Sequence, residues 1–130
     1  MRLLAIAIFS LFLAAPAPAL AHGQNVGASV ACENAQNTAA MRACENARLR
    51  RATEAMDAAY QALSARLDAR GQAKLRAAQQ AWLKFRAAEA DYQADVARDG
   101  TLAPLIGASV QADLTEARGK DLDKAARELK

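Results

Sequence analysis

The chain has one histidine, two cysteines, six aromatic residues and three prolines among 130 residues, and each shortage excludes something. With His22 as its only imidazole, a Ser–His or Cys–His nucleophile cannot be assembled inside a fold. Paired carboxylates remain, but no long loop exists to hold a substrate between them, so the sequence reads as a non-enzyme. His22 has no second ligand of its kind, so neither a metal centre nor another cofactor is implied. A dense basic stripe is also missing. Seventeen Lys and Arg are interleaved with fourteen Asp and Glu, for a net charge of +3, which is not the footprint of a nucleic-acid binder. The length allows one domain. What the chain has in abundance is alanine, the strongest helix former, and a composition 53% apolar but only 5% aromatic favours long helices packed closely through small side chains.

The one long apolar run lies at the start. Met1 and Arg2 form a positive beginning, Leu3 to Ala15 an apolar stretch broken by Ser10, and Ala19-Leu20-Ala21 a small-x-small cleavage site. Pro16 and Pro18 cut the run short of the roughly 20 residues a membrane span requires. Residues 1–21 are therefore expected to be a cleavable signal peptide and the mature protein to be periplasmic or secreted, with no membrane attachment. Removing Arg2 with the leader takes the balance to 16 basic against 14 acidic residues, a net +2. In an oxidising compartment Cys32 and Cys44 should pair with each other, a closure that stabilises by about 3 kcal/mol in the chain-entropy view.

Residues 22–31 carry no periodicity and read as a flexible entry segment. Asn37 or Thr38 can cap a first helix running to about Arg70, with Leu49, Ala52, Met56, Tyr60, Leu63 and Leu67 on one face and Gly71 as its stop. A second helix is expected over about Gln72 to Arg98, with Leu75, Ala78, Trp82, Phe85, Glu89, Tyr92 and Val96 as a heptad seam. Asp99-Gly100 breaks it, Thr101 can cap a third helix, and Pro104 fits the first turn. The third apolar line is Ile106, Val110, Leu114, Leu122, Ala125 and Leu129, weakened by Gly107 and Gly119 at about 1 kcal/mol each relative to alanine. Short connections between amphipathic helices make the fold class all-α, an antiparallel three-helix bundle of up-down-up order with one disulfide, spanning residues 32–130. Its oligomeric state stays open.

Three stretches carry a resemblance. C-E-N-A-Q-N-T-A-A-M-R-A-C (residues 32–44), A-Q-Q-A-W-L-K-F-R (78–86) and L-T-E-A-R (114–118) are similar, in order and spacing, to the LprI-like lysozyme-inhibitor domain family. That resemblance implies a small exported bacterial helical domain and, as its protein partner, a lysozyme. Two departures stand out. The family's second cysteine pair falls on Ala90 and Val110, lost together so that no thiol is orphaned and an apolar contact between helices two and three takes its place. The family's acidic residue after the arginine is replaced by Ala87.

Two functions follow. One is inhibition of a lysozyme-type muramidase by an element inserted in its cleft, for which the turn bearing Arg98, Asp99 and Thr101 is the candidate. The other is a periplasmic protein–protein interaction module without lysozyme activity. Trp82, Phe85 and Tyr92 are read as core residues on the seam. Glu89 sits on that seam too, where a carboxylate needs a partner, so a structural ion pair with Arg86 or Arg118 is expected.

Overall fold

A computed structural model describes residues 35–129. Three long helices make up the structure: α1 (Thr38–Ser64), α2 (Ala69–Ala94) and α3 (Ala103–Glu128), with a short 3-10 turn at Asp95–Ala97 and no strand among the described residues. The predicted signal peptide, the entry segment and Cys32 lie outside the described residues.

The helix starts follow local chemistry. Asn37 caps α1 by accepting a hydrogen bond from the Ala40 amide at 2.9 Å, and Asp68 caps α2 by accepting from Gly71 at 2.7 Å. Gly71 is thus not the stop of the first helix. That helix ends at Ser64, six residues before the predicted boundary, and Gly71 lies in the first turn of the next. Asp68 wins because an aspartate that can serve the orphan amides of a new helix ends the old one more decisively than a glycine three residues on. At the other end of the molecule Thr101 does not cap α3. Leu102 takes that position with no side-chain bond, and Pro104 occupies the first turn as expected. The last carbonyls of α3 are served from outside, since the Arg66 guanidinium donates to the Ala126 and Leu129 oxygens.

Sequence neighbours run antiparallel, which leaves α1 and α3 parallel: Arg48 meets Asp113 and Glu116, Met56 meets Gly119, and Arg66 meets Ala126. The three pairings are unequal. α1 and α3 pack along most of their length, α2 packs on α3 over a shorter stretch, and α1 and α2 meet little. On α1 the buried residues are Ala47, Ala52, Met56 and Leu63, with Leu49, Tyr60 and Leu67 half-buried beside them. This is the predicted face.

The third helix turns a different face inward from the one its large apolar residues suggest. Ala108, Ala112, Thr115, Leu122 and Ala126 are buried, whereas Ile106, Val110, Leu114 and Ala125 are half-buried. With Gly119 between Thr115 and Leu122, the buried set steps alternately by four and three, a heptad seam made chiefly of small residues. Close approach explains the choice, because a Cβ added at Gly119 would stand 3.4 Å from the Met56 Cα. A backbone that near leaves room for alanine and glycine, not for isoleucine.

The second helix is also rotated from its predicted seam. Leu75 and Ala90 are its buried residues, and Gln79, Trp82, Arg86 and Ala94 are half-buried, while Phe85, Tyr92 and Val96 are exposed at 52%, 74% and 85%. The heptad line Phe85–Tyr92–Val96 was expected to face a two-sided core. Because α1 hardly reaches α2, only an arc narrow enough to meet α3 is covered, and that arc takes Ala90, whose carbonyl lies against Gly107.

The close α1–α3 approach is testable at Gly119. Alanine there gains helix propensity of about 1 kcal/mol and makes ordinary contact with Met56, so Gly119→Ala is expected to raise the melting temperature. Gly119→Leu should lower stability by about 1–3 kcal/mol through overpacking. Thermal melts followed by circular dichroism read both, and equal effects of the two would show the helices to be further apart.

Candidate functional site

Charged and aromatic side chains gather in three places. The first lies between α1 and α3. Arg48 forks onto Glu116, with Nε donating to Oε1 at 2.7 Å and Nη2 to Oε2 at 2.8 Å, and also donates to Asp113 at 2.6 Å and Glu45 at 3.3 Å. One cation thus holds three carboxylates from two helices. Hydrogen bonds from Arg48 keep the Glu116 carboxyl below the usual glutamate range, and those of Glu116 and Asp113 raise the Arg48 guanidinium above its ordinary value. The Arg48 guanidinium is held wholly by groups of the chain itself, so this cluster is a fastener between α1 and α3 rather than a binding site. Nothing in the apolar patterning pointed to it, although acids at 113 and 116 on one helical face were a signal.

The second place lies on α2 and α3. The Trp82 ring has the Arg86 guanidinium 5.3 Å and the Arg118 guanidinium 5.9 Å from its centre. Arg86 Nη1 donates to the Thr115 hydroxyl at 2.9 Å, which donates in turn to the Gln111 carbonyl at 2.7 Å. Thr115 is completely buried, and these two bonds satisfy it. Arg118 Nε donates to Gln79 Oε1 at 3.1 Å, while the same amide reaches the Met56 sulfur at 3.3 Å. Glu89, expected to pair with one of these arginines, instead accepts from Gln93 one turn along at 2.7 Å. Its carboxylate stays at the edge of the covered arc, where water and an amide suffice, so the predicted ion pair is not formed.

The third place is the tip where α2 passes into α3. Arg98 pairs with Asp95 within the 3-10 turn, and Asp99 holds the left-handed conformation at φ 64°, which aspartate tolerates better than most side chains. Gly100, whose amide bonds the Ala97 carbonyl at 3.0 Å, is needed for space: a Cβ there would stand 3.1 Å from that oxygen. Arg98, Asp99 and Thr101 are all exposed, and Tyr92, Val96 and Leu102 lie exposed around them. Tyr92, Gln93, Asp95, Val96, Arg98 and Ile106 line a shallow depression beside the turn. The sequence pointed to the polar turn and missed its apolar flank, since Tyr92 and Val96 had been read into the core.

Cys44 is half-buried on α1. Its expected partner Cys32 lies outside the described residues, so the bridge remains a proposal. Among the described residues no group of three His, Cys, Asp or Glu could hold a metal, and no helix is long and apolar enough to cross a membrane.

These features define a class: a small helical protein whose conspicuous surface is an apolar, charge-studded tip held on long helices. The chain belongs to the LprI lysozyme inhibitor family, whose model, described as "Lysozyme inhibitor LprI", matches residues 30–122. No curated protein and no solved structure matches it.

The Arg48 fastener has a definite pH signature. A carboxyl with a lowered folded pKa contributes stability that is present above its unfolded value of about 4.3 and lost as pH falls through the folded one. Arg48→Met should therefore cost about 1 kcal/mol near neutral pH, a modest figure because the pair is partly solvated. The gap to the parent should close between about pH 5 and 3, and urea unfolding across that range measures it. A gap independent of pH would assign the loss to packing.

Proposed function

We propose that the protein is exported by its residue 1–21 leader and, as a mature domain with a Cys32–Cys44 bridge, inhibits a lysozyme-type muramidase by seating the α2–α3 tip in the enzyme's substrate cleft. Family membership supports the activity. The observation that carries the choice of surface is the exposure of Tyr92, Val96 and Leu102 around Arg98, Asp99 and Thr101, because large apolar side chains left in water beside a polar turn have the make-up of an interface centre. Glycosidases of this kind work with a pair of carboxylates. Arg98 is the residue placed to exchange its local partner Asp95 for one of them, and the aromatic ring of Tyr92 can cover a sugar-binding wall.

Charge contributes little to the encounter. A net +2 on residues 22–130 gives no attraction toward a basic enzyme, so binding rests on short-range contact at the tip. Inhibition should accordingly change little with ionic strength.

The test is a cell-wall lysis assay with purified residues 22–130 and a muramidase. Inhibition by the parent protein is expected, with Tyr92→Ala and Val96→Asp each weakening it about tenfold or more and replacement of residues 98–101 by glycine and serine abolishing it. Full inhibition by all three variants would place the interface elsewhere. No inhibition by the parent would leave the protein as a helical interaction module for another envelope protein.

A further inference from the structure

One face of α2 is apolar along much of its length and has no neighbour. Ala78, Ala81, Phe85, Ala88, Tyr92 and, in the turn that follows, Val96 are all exposed, and steps of three and four residues set them on one line about 27 Å long. The side turned to α3, which carries Leu75, Gln79, Arg86 and Ala90, lies roughly a third of a turn away. Charge along the same helix is divided. Arg70, Lys74, Arg76, Lys84 and Arg86 stand between Ala69 and Ala88 with no acid among them, and Glu89, Asp91 and Asp95 follow with no base before Arg98. No acid stands in the first turn and no base in the last. That layout runs against the helix macrodipole, so the helix's own stability does not account for it. Lys84 and Asp91 are exposed, and among the described residues neither has an ion pair within the chain.

We infer that this face of α2 pairs with the same face of a second copy of the chain, the two helices antiparallel about a two-fold axis. Antiparallel pairing sets the basic half of each helix against the acidic half of the other, whereas parallel pairing would set like on like. The apolar line is complementary to itself in the same sense. With the axis level between Phe85 and Ala88, each Phe85 meets the other copy's Ala88, each Tyr92 an Ala81, and each Val96 an Ala78, so a large side chain falls on a small one at every level. Lys84 and Asp91, one heptad apart and thus on one flank of the line, come within reach of the opposite charge across the axis twice per dimer. A single helix stripe of this length is a small interface, so the dimer is a reversible one of micromolar strength. It covers Tyr92 and Val96, which the tip also offers to a muramidase, and the pairing stands whether or not the protein inhibits one.

Sedimentation velocity of the purified protein, leader removed, measures this without any enzyme. A monomer at low micromolar concentration that passes to a dimer as concentration rises is expected. Phe85→Glu, which lies outside the tip, should weaken the dimer about tenfold or more. Lys84→Glu and Asp91→Lys each introduce two like-charge contacts and should weaken it about tenfold; the two together restore both contacts and should return it to within about threefold of the parent. All four positions altered are exposed or flank exposed residues, and circular dichroism checks that each variant keeps its helices. A monomer at every concentration, or a dimer indifferent to Phe85→Glu, would overturn the inference, and single charge variants that weaken the dimer without recovery in the double would overturn the antiparallel arrangement.

Discussion

The parallel packing of α1 on α3 through small side chains is the constraint from which the rest of the molecule follows. Ala52 on one helix and Ala108, Ala112, Gly119 and Ala126 on the other let the backbones approach, with Met56, Leu63 and Leu122 filling the wider levels. Each alanine buries little area, so cohesion comes from dense backbone contact rather than from a few large side chains. Arg48 fastens one end of this pair, and Arg66, on the α3 terminus, fastens the other. With α1 and α3 so occupied, α2 is left to pack on α3 by one narrow arc.

That asymmetry explains the surface. A helix held by one neighbour exposes most of its circumference, and α2 carries Phe85, Tyr92 and Val96 on the uncovered part. The cost of leaving such residues in water is offset where a partner covers them. Fold and candidate sites are therefore one arrangement: the tight pair gives rigidity, and the loosely covered helix presents chemistry.

Legibility in the sequence followed the same division. The all-helical class, the number of helices, the Asn37 cap and the α1 face were readable because leucine and methionine mark the face that packs along most of α3. The α3 seam was not, since hydrophobicity ranks Ile106 and Val110 above Ala108 and Ala112, and only the closeness of the facing backbone reverses that order. On α2 a faultless heptad, Phe85–Tyr92–Val96, misled because periodicity says that a stripe exists and not that anything covers it. Gly71 and Thr101 failed as boundary signals for a related reason: a stronger cap stood nearby at Asp68, and at α3 no side chain serves the first amides. The Arg98–Asp99–Thr101 turn was legible from its turn-forming residues, its apolar flank was not, and the Arg48 fastener lay outside any apolar pattern.

Native-state hydrogen exchange read along the chain tests the unequal packing most directly. The account predicts that amides of residues 47–63 and 108–126 exchange only through global unfolding, while those of 92–102 open locally at far lower free energy. Protection in the second half of α2 equal to that of α3 would contradict it, because the helix would then be covered on more than one side and its aromatic face would not be free for a partner.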